Sequence, residues 1–117
     1  MNEFKILISD IQIFKFKLVE WLKIFDHFAV LDSNGFSVNY PYYDKVSSYD
    51  LLAAAGNTHI LKSFYDNSFE NLKFIENTNK WWFGFIGYDC KNNIENLKSS
   101  NPDFIQFFDL YFFSPEI

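Results

Sequence analysis

Residues 81–97, WWFGFIGYDCKNNIENL, set three aromatics ahead of two glycines spaced three apart, then Tyr-Asp, then an amide-rich segment. From Trp81 to Tyr88 the run is apolar and aromatic except at Gly84 and Gly87. Such a run predicts a central β-strand covered on both faces rather than an edge strand. Glycine weakens a strand, but it lets another backbone or a large ring lie directly against it. Two glycines in one strand therefore predict close approach. Asp89 is placed to cap a short helix through Leu97, with Asn92, Asn93 and Glu95 on its wet side and Ile94 and Leu97 inward.

Working outward, DLYFFSPEI (109–117) predicts a last strand. On the other side, residues 67–79 carry Phe69, Leu72 and Ile75 or Glu76 at helical spacing and predict a modest helix. YDLLAAAG and THILKSF are two short strands separated by Gly56 and Asn57. FAVLD, residues 28–32, is a strand closed by Asp-Ser-Asn-Gly turn chemistry, with Gly35 free to take positive φ. The polar and aromatic segment between them, with Pro41, Tyr40, Tyr42 and Tyr43, is a surface connection. The clearest helical period lies at Phe14, Leu18, Trp21 or Leu22, and Phe25. Ser9 and Gln12 suit a capping box, so the helix is expected from Asp10 to Asp26. The expected fold class is α+β, a mainly antiparallel sheet with the long amino-terminal helix packed on it. No repeat or low-complexity linker divides the chain, so residues 1–117 are expected to form a single domain.

The composition supports a folded state. A chain of 117 residues is 49% hydrophobic and 22% aromatic, with sixteen Phe. That excludes intrinsic disorder. Folding at this length buries roughly two thirds of the extended surface. The net charge is −5, and all ten cationic residues are lysines scattered singly, which excludes a nucleic-acid partner. No arginine occurs, so a guanidinium fork for carboxylate or phosphate is not on offer. A single cysteine, Cys90, fits a reducing compartment, and the amino terminus lacks a basic start and cleavage site. The expectation is a soluble, cytoplasmic protein that does not enter a membrane.

The ordered set of Gly84, Phe85, Gly87, Tyr88 and Asp89, then Glu95, then Asp109 to Phe113, resembles the amino-terminal region of the anthranilate synthase component I family. Upstream, Val30 to Asn34 (VLDSN) is similar to that family's Leu-Leu-(Glu/Asp)-Ser element, and Ser47 to Gly56 (SSYDLLAAAG) to the strand after it. The closer likeness is to aminodeoxychorismate synthase, also called para-aminobenzoate synthase component I. Anthranilate synthase component I is the alternative. The set covers nearly the whole chain in order. It departs from the family where arginines are common, before the tyrosine of the SYDLL strand and after Tyr-Asp. Here those neighbourhoods hold Ser48 and Cys90-Lys91-Asn92-Asn93.

The resemblance implies a non-catalytic amino-terminal domain of the component I type. It implies a separate carboxy-terminal portion that binds chorismate and Mg²⁺ and carries the catalytic groups, and a glutamine amidotransferase partner that delivers ammonia. The parent reaction would aminate chorismate toward para-aminobenzoate and folate, and the 117 residues alone would be inactive. By the same resemblance Leu31, Asp32 and Ser33 would form part of a tryptophan pocket. A carboxylate and a hydroxyl can bind an ammonium group, and aromatics can bury an indole. The alternative is a strand-end turn in which Ser33 caps its own backbone.

No other constellation carries chemistry. His27 and His59 lack further ligands at zinc spacing. Cys90 has no nucleophile signature and reads as a structural thiol. Gly84 and Gly87 sit among aromatics without the Lys-Ser/Thr of a phosphate loop. No catalytic residue, metal ligand or cofactor is assigned within the chain. A non-enzymatic interaction module using aromatic surface such as Tyr40, Tyr42 and Tyr43 is the reading from a different class.

Overall fold

The computed structural model describes residues 4–34, 49–95, 102 and 104–117. The fold is α+β, and every strand pairing among the described residues is antiparallel. The tyrosine-rich connection, Gly35 and Leu97 lie outside the described residues.

Helix α1 spans Ile11–Leu22. Asp10, not Ser9, is its N-cap: Oδ1 accepts from the backbone N–H of Gln12 at 2.9 Å and of Ile13 at 3.0 Å. A carboxylate reaches two of the orphan amides of the first turn. The helix stops short of the expected Asp26. Ile24 and Phe25 bond back to the carbonyls of Trp21 and Leu22, tightening the chain so that it can enter the next strand. Leu22 is fully buried, whereas Ile11, Ile13, Phe16 and Trp21 stay exposed. Lys15 of α1 reaches across to Asp32, its ammonium 2.7 Å from the carboxylate.

Strands β1 (Phe28–Asp32) and β2 (Leu51–Ala55) form one ladder, from Phe28 opposite Ala55 to Asp32 opposite Leu51. Strand β3 (His59–Ser63) does not fold back on β2. Instead it pairs with β5 (Leu110–Ser114), and β5 pairs on its other side with β4 (Phe83–Ile86). The β2–β3 turn therefore passes the chain from one sheet to the other. Gly56 makes that turn at φ 70°, a backbone conformation that costs glycine nothing. Beyond β5 the chain crosses back: Glu116 and Ile117 donate to the Ala55 carbonyl, and Ala55 donates to Ile117. Between β3 and β4 lie a short 3₁₀ turn, Tyr65–Asn67, and helix α2, Ser68–Glu76.

The core sits where the two sheets meet. Ala54 of β2, Phe83 of β4 and Phe113 of β5 are buried together, with Ala29, Leu52 and Tyr111 packed around them. Successive strand residues alternate faces, so Leu52 and Ala54 point one way, as do Tyr111 and Phe113. At roughly 1.5 to 3 kcal/mol per large apolar side chain, Phe83 and Phe113 contribute several kcal/mol to holding the sheets together.

Two expectations for residues 81–97 fail. Among the described residues the strand is at the edge of its sheet, not the centre, and only Phe83 of it is buried; Gly84, Phe85 and Ile86 are exposed. The central position belongs to β5, whose Leu110 is fully buried. Asp89 does not cap a helix. The following segment is a 3₁₀ helix, Tyr88–Asn93, entered from Gly87 with no side-chain cap. Asp89 lies inside it, 3.7 Å from Lys91 Nζ, and Ile94 is exposed rather than inward. A 3₁₀ helix of two turns has no sustained inner face, so the inward position assigned to Ile94 does not exist.

The expected close approach is present at Gly84. A Cβ placed there would collide with the Tyr111 carbonyl and come within 2.7 Å of Phe112 Cα. At Gly87 a Cβ would meet Asp109 Cα at 3.1 Å and its carbonyl oxygen at 3.2 Å. Both glycines press the β4 chain onto β5 and the residue before it.

Candidate functional site

The Leu-Asp-Ser element stands at the outer end of the β1–β2 ladder. Leu31 is exposed on the rim of a cleft of about 480 Å³ between the two sheets, lined also by Phe28, Leu52, Trp81 and Phe85. Asp32 is the last residue of β1. Its carboxylate accepts from Lys15 Nζ through both oxygens, at 2.8 and 2.7 Å, and from the Asn34 N–H at 2.9 Å. Asn34 takes φ 54°, a left-handed conformation that asparagine tolerates better than most residues, and this lets its amide turn back onto Asp32. The Lys15 hydrogen bond, then the Asn34 amide, hold the Asp32 carboxyl below the usual carboxylate range.

Ser33 does not cap its own backbone. Its N–H donates to the Asp50 carbonyl at 2.9 Å, and its hydroxyl donates to Asp50 Oδ1 at 3.3 Å. The element thus gathers two carboxylates and a hydroxyl at one strand end. That set can hold a primary ammonium group, and Asp32 already holds one, that of Lys15. A ligand amine must displace Lys15 or use the Asp50 side. Sequence reasoning missed Lys15 and Asp50, each 17 residues from its partner; only the fold brings them there.

The second motif set does not join this element. Gly84 and Gly87 serve backbone packing, Tyr88 is 82% exposed, and Asp89 pairs with Lys91. The Lys91 ammonium also stands 4.7 Å from the Tyr88 ring centroid, a cation–π distance. Glu95 is exposed, its N–H donating to the Lys91 carbonyl. Cys90 is buried and its thiol donates to the Asp109 carbonyl, as a structural thiol would.

The two histidines make separate contacts. His27 lies nearly parallel to Tyr111, with its Nδ1 3.0 Å from the Asn57 amide nitrogen. His59 Nδ1 lies 3.3 Å from Lys80 Nζ. Among the described residues no group of three or more His, Cys, Asp or Glu is placed to hold a metal ion. No helix among them is long and apolar enough to cross a membrane. No protein-family model matches this chain, and no match to it was found among curated proteins or solved structures.

Proposed function

We propose that this chain is the amino-terminal, non-catalytic domain of an aminodeoxychorismate synthase (para-aminobenzoate synthase) component I, a scaffold joined to or assembled with a separate portion that performs the chemistry. One observation carries the reading. The segments resembling the family's motifs are neighbours in space, two by two: VLDSN ends β1, which pairs with the LLAAA strand, and the GFI strand pairs with LYFFS. A second feature agrees with a scaffold role: Phe16, Trp21, Phe85 and Tyr88 are all exposed, apolar surface that a neighbouring portion would cover.

On this reading Mg²⁺ and chorismate belong to the catalytic portion, and ammonia comes from a glutamine amidotransferase partner. The chain itself supplies a rigid support and, at Leu31, Asp32 and Ser33, a tryptophan site in which the amino group competes with Lys15. The sibling reaction, anthranilate formation, uses the same scaffold chemistry, and growth separates the two. The gene encoding this chain, together with that of the catalytic portion where the two are separate polypeptides, is introduced into a bacterial strain lacking component I of para-aminobenzoate synthesis, and into one lacking component I of anthranilate synthesis. The proposal expects rescue of the first without supplied para-aminobenzoate. Rescue of the second alone moves the assignment to anthranilate, and rescue of neither rejects both.

A further inference from the structure

A second cleft, also about 480 Å³, opens between β2 and the chain that leads into β4; none of Leu31, Asp32 and Ser33 lines it. We propose that it is a binding site for a planar aromatic carboxylate, stacked on the Trp81 indole with its anion on Lys80. The volume lies within the roughly 300–1,000 Å³ of small-molecule sites. This inference stands apart from the chorismate reading and would survive its failure.

The apolar part of the argument rests on Trp81. Its side chain lines the cleft yet is 55% exposed. Two neighbours fix its plane: Phe83 lies nearly parallel at 22°, with centroids 6.3 Å apart, and Tyr49 stands edge-on at 74°. An indole oriented in advance loses little freedom when a ring stacks on it. Leu52 and Ala54, which share one face of β2, line the same cleft.

The polar part rests on charge. Among the described residues Lys80 is the only ionisable side chain lining the cleft, in a protein of net charge −5. Its ammonium has the His59 ring nitrogen at 3.3 Å, and no carboxylate among the described residues pairs with it. An anion brought to Lys80 therefore displaces no ion pair. Asn79 also lines the cleft and offers an amide, whereas the Thr58 hydroxyl is already donated to the Ser114 carbonyl at 3.2 Å. A neutral aromatic would leave Lys80 unused, and a saturated acid would forgo the stack.

The test is a calorimetric titration of the 117-residue chain with 2-naphthoate, alongside 2-naphthylmethanol and cyclohexanecarboxylate. The indole N–H resonances are followed by NMR and assigned with Trp81→Phe. The proposal expects 2-naphthoate to bind at least about tenfold more tightly than either control, as a charge-assisted hydrogen bond allows. The Trp81 N–H moves and that of Trp21 does not. Lys80→Met weakens 2-naphthoate by about tenfold and leaves 2-naphthylmethanol unchanged. Both Lys80 and Trp81 are exposed, so these variants keep the core intact. Equal affinity for the acid and the alcohol, indifference to Lys80→Met, a response at Trp21 instead, or no binding at millimolar 2-naphthoate each overturns it.

Discussion

Replacing Gly84 by alanine tests the packing of β4 on β5 with a single methyl group. The added Cβ would stand 2.7 Å from Phe112 Cα and overlap the Tyr111 carbonyl, where carbon atoms ordinarily keep about 3.5 to 4.0 Å apart. Both obstacles are backbone, so no side-chain rotation relieves them. The strands must part by about an ångström at the Gly84–Phe112 pair, which strains or breaks the β4–β5 ladder and lifts Phe83 out of the core. Overpacking of this kind costs about 3 kcal/mol, at the upper end of the usual range. At about 4 °C per kcal/mol for a domain of this size, the melting temperature should fall by about 12 °C. Circular dichroism melts of wild type, Gly84→Ala and Gly87→Ala measure it. Gly87→Ala, whose contacts at 3.1 and 3.2 Å need only a few tenths of an ångström of relief, should fall far less. A Gly84→Ala melt within a degree of wild type would show that the strands do not meet as described.

Three further outcomes follow from named contacts. Asp32 has a depressed pKa, so its contribution to stability is fully present above its unfolded value of about 3.9 and is lost as pH falls through the lower folded value; in Lys15→Met, a carboxyl titration followed by NMR should move the Asp32 midpoint upward, toward that unfolded value. Asp10→Ala removes both cap hydrogen bonds of α1 and should cost about 1 kcal/mol, seen as reduced amide-exchange protection confined to the first turn. Leu110→Ala empties a fully buried position in the central strand and should cost about 2 to 5 kcal/mol in urea unfolding, where the same change at exposed Leu31 should cost little.

Much of the local structure is legible in the sequence. The span of β1 is as expected from FAVLD and its turn chemistry, and β2, β3 and α2 stand within their expected segments, because each is bounded by Gly, Pro, Asn or Asp. The glycine argument also holds at Gly84, since a missing side chain is a local fact with a local consequence. Strand order is different. An apolar run in 81–88 and another in 109–114 look equally fit for the centre of a sheet, and only pairing at long sequence separation puts β5 between β3 and β4. In a chain this aromatic, apolar character does not report burial: Phe85 and Tyr88 stay exposed while Phe83 is buried. The same limit governs the site. Leu31, Asp32 and Ser33 can be named from a motif, but the ammonium that occupies Asp32 comes from a helix whose sequence shows only a lysine among apolar neighbours.

The most direct measurement is a mass-spectrometric assay with chorismate, ammonia and Mg²⁺, run on the intact protein encoded with this chain and on residues 1–117 alone. If these residues are the supporting domain of an aminodeoxychorismate synthase, the intact protein yields the product in which an amino group replaces the ring hydroxyl, released as water, and the 117 residues yield none. Turnover by residues 1–117 alone, or an intact protein that leaves chorismate untouched, would contradict it.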